Sequence, residues 1–343
     1  CRRTFDAARQ KANLFASFGP DMAGGYVLSG HTDVVPVDGQ DWSSDPFRAE
    51  VRDGKLFGRG ACDMKGFIAV ALSLLPEIAR AKLQRPIHFA LSYDEEVGCA
   101  GVSGLIEDLK TAGIRPALAV VGEPTLMRVV GAHKAGAVLH THCHGREGHS
   151  SAPEKGANAV MMAGEFVHLL DEVWNELRAD ADPRFDPPHS TVQANMISGG
   201  SAVNILARDA LVTWEYRALP DRDAARIVET VRARTETAIL PKYKVRVPEA
   251  RMDTTLQASY PGLVMDETSP AVVLARELTG ANSVDAVAYG TEAGHFQRAG
   301  IPAVICGPGS IDQAHKADEF VALSELAKCE VFLRKLVAKA AAA

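Results

Sequence analysis

The chain has 343 residues, of which 47% are hydrophobic and 23% charged, and its formal net charge is −6. This composition is typical of a folded protein of one or two domains, and it excludes a disordered or collagen-like chain. The acidic excess argues against nucleic acid and anionic membranes as partners. Because the longest apolar runs, such as Ile68–Leu75, are much shorter than the roughly 20 residues of a membrane-spanning helix, we expect a soluble protein.

The cysteines are widely spaced and form no Cys-x-x-Cys pair; they are Cys1, Cys62, Cys99, Cys143, Cys306 and Cys329. A disulfide framework is typical of small secreted domains, so we predict reduced, mostly buried thiols and a cytoplasmic location. The chain opens with Cys1-Arg2-Arg3 instead of an initiator Met. We therefore expect that an amino-terminal piece is missing, and a targeting segment could have been part of it.

The first part of the chain predicts strands that alternate with helices. A strand over Tyr26–Ser29 precedes a helix over Gly66–Ala81, and further strands are expected over Ile87–Ser92 and Ala117–Val121. Strands separated by helices indicate an α/β fold, in which a mostly parallel sheet carries helices on both faces. Open sheets of this kind hold their sites at the carboxyl ends of the strands.

The pattern changes near residue 140. The predicted elements are then a strand over 137–143, a polar turn over 145–151, a helix over 157–178, alternating strands over 192–197 and 210–218, a helix over 224–238 and a strand over 244–247. Two helices against a few antiparallel strands indicate a compact α+β unit. After Arg251 the first pattern returns, with helices over 270–278 and 324–339 and a strand over 303–306.

These patterns predict two domains. Residues 1–139 and 252–343 would form an α/β catalytic domain, and residues 140–251 would form an inserted α+β domain. An inserted unit with its own strands has sheet edges that need to be covered. We therefore expect a homodimer that forms through residues 140–251.

Acidic residues and histidines stand near the ends of predicted strands and before the first helix, in His31-Thr32-Asp33, at Asp63, in Asp94-Glu95-Glu96, at Glu123 and at His315. Each has an ordinary explanation when taken alone: a His-x-Asp hydrogen bond, a solvated acidic pair, or an Asp that caps a helix. Taken together they can converge, because parallel strands bring their carboxyl ends to one edge. Two histidines and three carboxylates carry a charge of −3, which two divalent cations and one bridging hydroxide would neutralise. Nitrogen and oxygen ligands suit Zn²⁺, with Co²⁺ or Mn²⁺ as alternatives.

The same segments resemble the di-zinc metallopeptidase family that contains acetylornithine deacetylase and succinyl-diaminopimelate desuccinylase. The matching segments are Gly30-His31-Thr32-Asp33-Val34-Val35-Pro36, Gly58-Arg59-Gly60 with Asp63-Met64-Lys65-Gly66, Asp94-Glu95-Glu96, Gly122-Glu123-Pro124-Thr125, and Gly307-Pro308-Gly309-Ser310 with Ala314-His315. They extend over nearly the whole chain, so the set is specific. The resemblance implies a zinc-exopeptidase-like catalytic domain with an inserted dimerisation and lid domain.

The resemblance also implies roles for these residues. The metal ligands would be His31 and Glu123 for one ion, Glu96 and His315 for the other, and Asp63 between the two. Glu95 would be the general base, and Asp33 would orient the ring of His31. Because adjacent glutamates cannot present the same geometry to one ion, different roles for Glu95 and Glu96 are natural.

Three further candidates lie in the inserted domain. His149, in Gly145-Arg146-Glu147-Gly148-His149-Ser150, resembles a family histidine that reaches the active site of the neighbouring subunit and helps to bind the oxyanion. Asn204 and Arg217 match positions that bind the substrate carboxylate, for which the planar arginine fork is suited. The alternatives are an exposed turn histidine and a surface ion pair. His140, His142 and His144 share one strand face and would suit a second metal site, but a solvated strand face is the simpler interpretation.

The function implied by the resemblance is hydrolysis of the amide bond of an N-acyl amino acid. The run 307–315 is similar to the acetylornithine deacetylase branch, so we expect N-acetylornithine to be cleaved to ornithine and acetate in arginine biosynthesis. The alternatives are a succinyl-diaminopimelate desuccinylase, a dipeptidase or an N-carbamoyl hydrolase. A different class is a catalytically silent binding protein on the same scaffold, but a silent protein has no chemical reason to retain Glu95 and all five ligands.

Overall fold

The structure is a computed structural model that describes residues 1–222 and 224–342. Its strands are β1 (Arg2–Phe5), β2 (Ala12–Phe18), β3 (Tyr26–His31), β4 (Glu50–Arg52), β5 (Lys55–Phe57), β6 (Ile87–Ser92), β7 (Leu118–Pro124), β8 (Val130–His133), β9 (Ala135–His144), β10 (Gly148–His149), β11 (Thr191–Gly199), β12 (Ile205–Leu206), β13 (Asp209–Ala218), β14 (Arg251–Tyr260), β15 (Asp285–Val287), β16 (Ala303–Gly307) and β17 (Phe320–Ala322). Its α-helices are α1 (Gly66–Ser73), α2 (Leu75–Arg80), α3 (Val102–Thr111), α4 (Ala159–Leu177), α5 (Ala224–Arg234), α6 (Leu240–Lys244), α7 (Pro270–Thr279), α8 (Ala293–Arg298) and α9 (Leu323–Ala342). In the described part of the chain, none of these helices combines the length and apolar content that a membrane crossing requires.

The chain divides into two compact units. The first unit consists of Cys1–His133, Leu263–Val287 and Thr291–Ala343, and the second of Lys134–Gly262 and Ala288–Gly290. The predicted domain boundaries lie after residues 139 and 251, whereas the boundaries between the two units of the structure lie after His133 and Gly262. The difference arises because β14 pairs with β9 along almost its whole length, so both strands belong to the second unit.

The first unit is built on an eight-stranded sheet with the order β1-β2-β6-β3-β7-β16-β8-β15. The four central strands, β6-β3-β7-β16, are mutually parallel, and every residue of β3 and β7 is buried, as expected for strands covered on both faces. At the edges the pairs β1–β2, β2–β6 and β16–β8 are antiparallel. The predicted α/β fold is confirmed, and its parallel character is concentrated at the centre of a mixed sheet.

Helices pack on this sheet in two groups. Helices α1 and α7 both contact α9, and they also contact the central strands, whereas α3 contacts α8 and the strands β1, β2 and β6. Gly122 allows α1 to lie close to β7, since a Cβ at this position would stand 2.0 Å from the Phe67 ring. The predicted helix over 66–81 is interrupted at Leu74, because Pro76 lacks the N–H that a continuous helix would need.

The second unit contains a four-stranded antiparallel sheet with the order β11-β13-β9-β14. Helix α4, capped by the Asn158 side chain, packs on this sheet and contacts α5. Trp214 is fully buried here, and its indole N–H donates to Thr141 Oγ1 at 2.9 Å. The strand predicted over 244–247 is wrong: this segment is the end of α6 and a turn, because Pro241 favours the first turn of a helix.

Candidate metal centre

The predicted metal ligands converge in the first unit, at the carboxyl edge of the parallel strands. The residues are His31 at the end of β3, Glu123 near the end of β7, Glu96 after β6, Asp63 in the turn before α1, and His315 after β16. They form two groups that share one residue: His31 with Asp63 and Glu123, and His315 with Asp63 and Glu96. In each group the candidate ligand atoms all lie within 4.8 Å of one another.

The shared carboxylate faces both groups. Asp63 Oδ1 lies 2.9 Å from His31 Nε2, and Asp63 Oδ2 lies 3.2 Å from His315 Nε2. Glu123 Oε1 is 3.7 Å from His31 Nε2, and Glu96 Oε2 is 3.0 Å from His315 Nε2. Ligands of a tetrahedral zinc ion, bound at about 2.0–2.1 Å, stand about 3.3 Å from one another. The donor set therefore fits two cations bridged by one aspartate.

Electrostatics of the two groups are consistent with this fit. Hydrogen bonds to Asp63 and Glu96 raise the pKa of His315 to about 10. Burial raises the pKa of the Asp63 carboxyl, but the hydrogen bonds from His31 and His315 outweigh burial and hold it well below its usual range. Burial, together with the charge of Asp63, raises the pKa of Glu123 well above its usual range. Without cations, these groups balance their negative charge with protons.

Asp33 connects His31 with the adjacent acidic turn. Its backbone oxygen lies 3.0 Å from His31 Nδ1, and its carboxylate oxygen Oδ1 lies 3.6 Å away from the same atom. The carboxylate accepts the backbone N–H groups of Glu95 at 3.2 Å and Glu96 at 3.0 Å. With Nδ1–H held by the carbonyl oxygen, a neutral His31 ring would have the lone pair of Nε2 available for a cation between His31, Asp63 and Glu123. Asp33 thus orients both a histidine ligand and the turn that carries a second ligand.

Glu95 belongs to neither ligand group, and Cys99 Sγ donates to its Oε1 at 3.2 Å. Burial raises the pKa of Glu95 to about 8, and the nearby charge of Glu292 adds to this effect. Glu292 is itself buried; Ser29 Oγ donates to its Oε2 at 3.3 Å, and its Oε1 has no hydrogen-bond partner in the described part of the chain. Sequence reasoning missed Cys99 and Glu292. A glutamate flanked by the small residues of Gly290–Gly294 was the available indication.

The other predicted site residues lie in the second unit. His149 pairs with Ile205 in the ribbon β10–β12, and Asn204 O accepts the N–H of Ser150 at 3.0 Å, so His149 and Asn204 are neighbours. Arg217 lies near the far end of β13, where its guanidinium donates to Glu215 at 3.2 Å and to the Tyr260 hydroxyl.

The two predicted carboxylate-binding residues are therefore far apart. The loop that carries Asn204 is attached at the start of β13, where Gly200 N donates to Asp209 O. Arg217 lies eight residues beyond Asp209 on the same strand. At about 3.3 Å per residue, Arg217 is about 26 Å from Asp209, the end of β13 to which the loop of Asn204 is attached.

His140, His142 and His144, which share one face of β9, belong to neither of the two ligand groups. The rings of His142 and His144 stack with centroids 6.1 Å apart, and His144 Nδ1 lies 2.9 Å from Asp209 Oδ1. Within residues 1–222 and 224–342, only the two groups that share Asp63 bring three potential ligands together. These three histidines lie on a partly exposed face of the strand.

Known proteins resemble this chain over nearly its full length. Acetylornithine deacetylase of Myxococcus xanthus is 36% identical over 97% of this chain and 85% of that protein, and acetylornithine deacetylase of Pasteurella multocida is 33% identical over 97% and 84%. The aminopeptidase PepT of Bacillus cereus shares the fold with a TM-score of 0.74 at 20% identity, covering 99% of this chain and 89% of that one. The model of Peptidase family M20/M25/M40 matches residues 27–339. With this match and these relatives, the chain belongs to peptidase family M20/M25/M40 and is a metal-dependent amide hydrolase.

Proposed function

We propose that this enzyme removes the acetyl group of N-acetylornithine, a reaction of arginine biosynthesis. The observation that carries the reaction type is the pair of ligand groups around Asp63 with Glu95 beside them. The substrate is supported by the two relatives named acetylornithine deacetylase, each matched over 97% of this chain. The five buried cysteines form no disulfide, which supports a reducing, cytoplasmic location.

The metal ligands in this proposal are those that the structure brings together. His31 and Glu123 would hold one divalent cation, Glu96 and His315 would hold the other, and Asp63 would be shared by both. Their nitrogen and oxygen atoms suit Zn²⁺ best, and Co²⁺ or Mn²⁺ also accept such ligands. Bound cations of this kind polarise a carbonyl oxygen and lower the pKa of water.

Glu95 is the general base in this mechanism. The Cys99 thiol holds one of its carboxylate oxygens, which leaves the other free to take a proton from the attacking water. A protonated Glu95 then passes that proton to the leaving amine. The burial that raises the pKa of Glu95 also favours proton uptake, and bound cations act in the opposite direction. Asp33 positions the base, because it accepts the N–H of Glu95.

Substrate recognition requires two copies of the chain. Arg217 lies about 26 Å along β13 from Asp209, where the loop of Asn204 is attached, whereas N-acetylornithine, comparable to about three extended residues, is about 10 Å long. Both residues can contact one substrate only if one of them comes from a partner subunit. His149 lies beside Asn204 and would act from the same subunit as Asn204, as a donor to the oxyanion.

The surface around His149 and Asn204 supports a homodimer through residues 140–251. Large apolar side chains are exposed there, and Val203 is fully exposed. The loop that carries Asn204 is joined to the start of α4 by the bond from Ala159 N to Ala207 O, and Met161 of α4 is exposed beside it. Strand β11 is an edge strand, and its Ile197 is also exposed. Contiguous apolar surface at a sheet edge is typical of a protein interface.

The substrate is tested by hydrolysis assays in the presence of added Zn²⁺ or Co²⁺. N-acetylornithine is expected to have a higher kcat/KM than N-succinyl-diaminopimelate or dipeptides. A preference for the succinylated compound would replace the proposed substrate with the alternative one. No hydrolysis of any of these amides by the metal-loaded protein would contradict the proposed activity.

The base is tested by Glu95→Gln, with Glu96→Gln as the matched control. Glu95→Gln should retain both cations and lose activity by about 10²–10⁴-fold, which is the usual contribution of a general base. Glu96→Gln should weaken the binding of one cation. Metal content is measured together with kcat. Activity of Glu95→Gln within a few-fold of the parent would contradict the assignment, and loss of a cation from Glu95→Gln would mean that the two roles are exchanged.

A further inference from the structure

Glu319 is a buried carboxylate that touches the loop of the shared ligand Asp63 without being a ligand. It is 1% exposed. Its Oε1 accepts the backbone N–H groups of Cys62 at 2.9 Å and Asp63 at 3.0 Å, and its Oε2 accepts the N–H of Gly60 at 3.0 Å. Successive N–H groups that converge in this way form a nest for an anion. Here the anion is a side chain of the protein itself.

The shape of this nest depends on Gly60. Its φ is +78°, and an added Cβ would lie 2.6 Å from Val34 Cγ1. A residue with a side chain would therefore be strained and would clash at this position. The turn that follows brings the N–H groups of residues 60, 62 and 63 to Glu319 and points the Asp63 carboxylate toward the two histidines.

Arg59 extends the same network to the ligand His315. Its side chain is buried, and Nη1 donates to Glu319 Oε2 at 2.8 Å and to Lys316 O at 3.3 Å. Nη2 donates to Gln40 Oε1 at 2.5 Å, and Gln40 Nε2 donates to His315 O at 3.0 Å. These bonds connect the loop of Gln40, the loop of Arg59 and the segment from His315 to Glu319.

His315 depends on such support. Its side chain is 53% exposed, and its backbone has a left-handed φ of +64°. An exposed histidine in a strained turn has little packing to hold it in place. The Gln40 and Arg59 side chains donate to the carbonyl oxygens of His315 and Lys316, and these bonds hold the turn.

We propose that Glu319 and Arg59 are positioning residues that hold Asp63 and His315 at the distance two cations require. This inference rests on the proposed function, since it takes those two residues as ligands. A buried ion pair is costly to desolvate and is often no more stable than an apolar pair of similar size. The pair is retained here because its bonds fix the loop of one ligand and the turn of another. Partners of this kind typically change metal affinity by about 10–100-fold when they are removed.

Glu319→Gln tests the proposal. The amide has the shape of the carboxylate, but its NH₂ group must face two of the four donors that Glu319 accepts. We expect the cation held by Glu96 and His315 to bind about 10–100-fold more weakly than in the parent protein, as measured by chelator competition with Zn²⁺ and Co²⁺. The matched control is Arg184→Met, which breaks the Arg184–Asp182 ion pair of the second unit. It should lower thermal stability and leave both metal dissociation constants unchanged.

Gln40→Ala provides a second test that keeps the buried ion pair. It removes the bond to His315 O and the oxygen that accepts from Arg59 Nη2 and Trp42 Nε1, but it leaves the Arg59–Glu319 pair in place. It should therefore weaken the cation held by Glu96 and His315 and leave the other cation unchanged. Binding curves of His31→Ala and His315→Ala identify which cation is which. Unchanged dissociation constants in both Gln40→Ala and a folded Glu319→Gln overturn the positioning role. If the parent protein binds fewer than two cations, or if His315→Ala retains both with parental affinity, the proposed metal site itself fails.

Discussion

The separation of Asn204 and Arg217 along β13 makes a quantitative prediction about mixed dimers. The perturbation is a pair of single variants, Asn204→Ala and Arg217→Met, each nearly inactive alone. Loss of a hydrogen bond to a charged group costs about 1.5–3 kcal/mol, so kcat/KM should fall by roughly 10- to 150-fold in each. Because Arg217 lies about 26 Å along β13 from the strand end where the loop of Asn204 is attached, we expect a complete site to take one residue from each subunit.

The size of the recovery follows from counting sites. Equal amounts of the two variants, once their subunits have exchanged, give about half mixed dimers, and each mixed dimer rebuilds one of its two sites. About one quarter of the parental activity should therefore return, with the parental KM. The result is the same whichever of the two residues comes from the partner subunit. Recovery to about one quarter exceeds the residual activity of roughly 1–10% that these losses leave in either variant.

The assay is N-acetylornithine hydrolysis before and after subunit exchange, with exchange followed through differently tagged subunits. The control mixes Asn204→Ala with His149→Ala. These residues are neighbours in one chain, so every site of a mixed dimer retains at least one lesion and no activity should return. Demonstrated exchange without recovery in the Asn204→Ala and Arg217→Met mixture would refute a site shared between subunits.

Two further predictions concern stability. Trp214→Phe should lower the free energy of unfolding, measured by urea denaturation, by about 2 kcal/mol, because it leaves a void and removes the bond to Thr141. The control is Trp174→Phe, which should lower it less, since the Trp174 indole N–H has no partner among the described residues. Equal losses in the two variants would contradict this reason. Burial lowers the pKa of His295 to about 4 from 6.5, so its stabilisation is complete above pH 6.5 and is lost as the pH falls toward 4. Between pH 7 and pH 4.5, metal-free protein should lose about 2 kcal/mol that His295→Gln retains, and an equal loss in both would contradict this assignment.

Much of the metal centre could be predicted from sequence because parallel strands bring their carboxyl ends to one edge. Strand β6 was predicted with its observed bounds, and the predicted core of β3 was two residues short. The acidic groups and histidines that follow these strands converge for that reason. The division of these residues into two ligand groups came from the resemblance to a known family and not from the local patterns.

The supporting residues could not be predicted in the same way. Glu319 and Glu292 accept hydrogen bonds from groups that are far away in the sequence. Neither residue belongs to a segment that carries the family resemblance. The edge strand β1 and its neighbour β2 were missed as well, because β1 is largely exposed and the residues of both strands are mostly polar or small. Strand β14 was missed because its register with β9 includes a bulge that interrupts the alternation of its side chains.

The adjacent residues Glu95 and Glu96 show how one turn can supply two chemical roles. The preceding Asp94 has a left-handed φ of +56°, and Asp33 accepts both following N–H groups, so the backbone of the turn is held at two consecutive residues. Consecutive side chains then diverge: Glu96 reaches His315, and Glu95 folds back to the thiol of Cys99. A proton acceptor beside the cations, but not bound by them, is what amide hydrolysis requires. The same backbone bonds therefore place the proposed ligand Glu96 and the proposed base Glu95 within one residue of each other and keep their side chains apart.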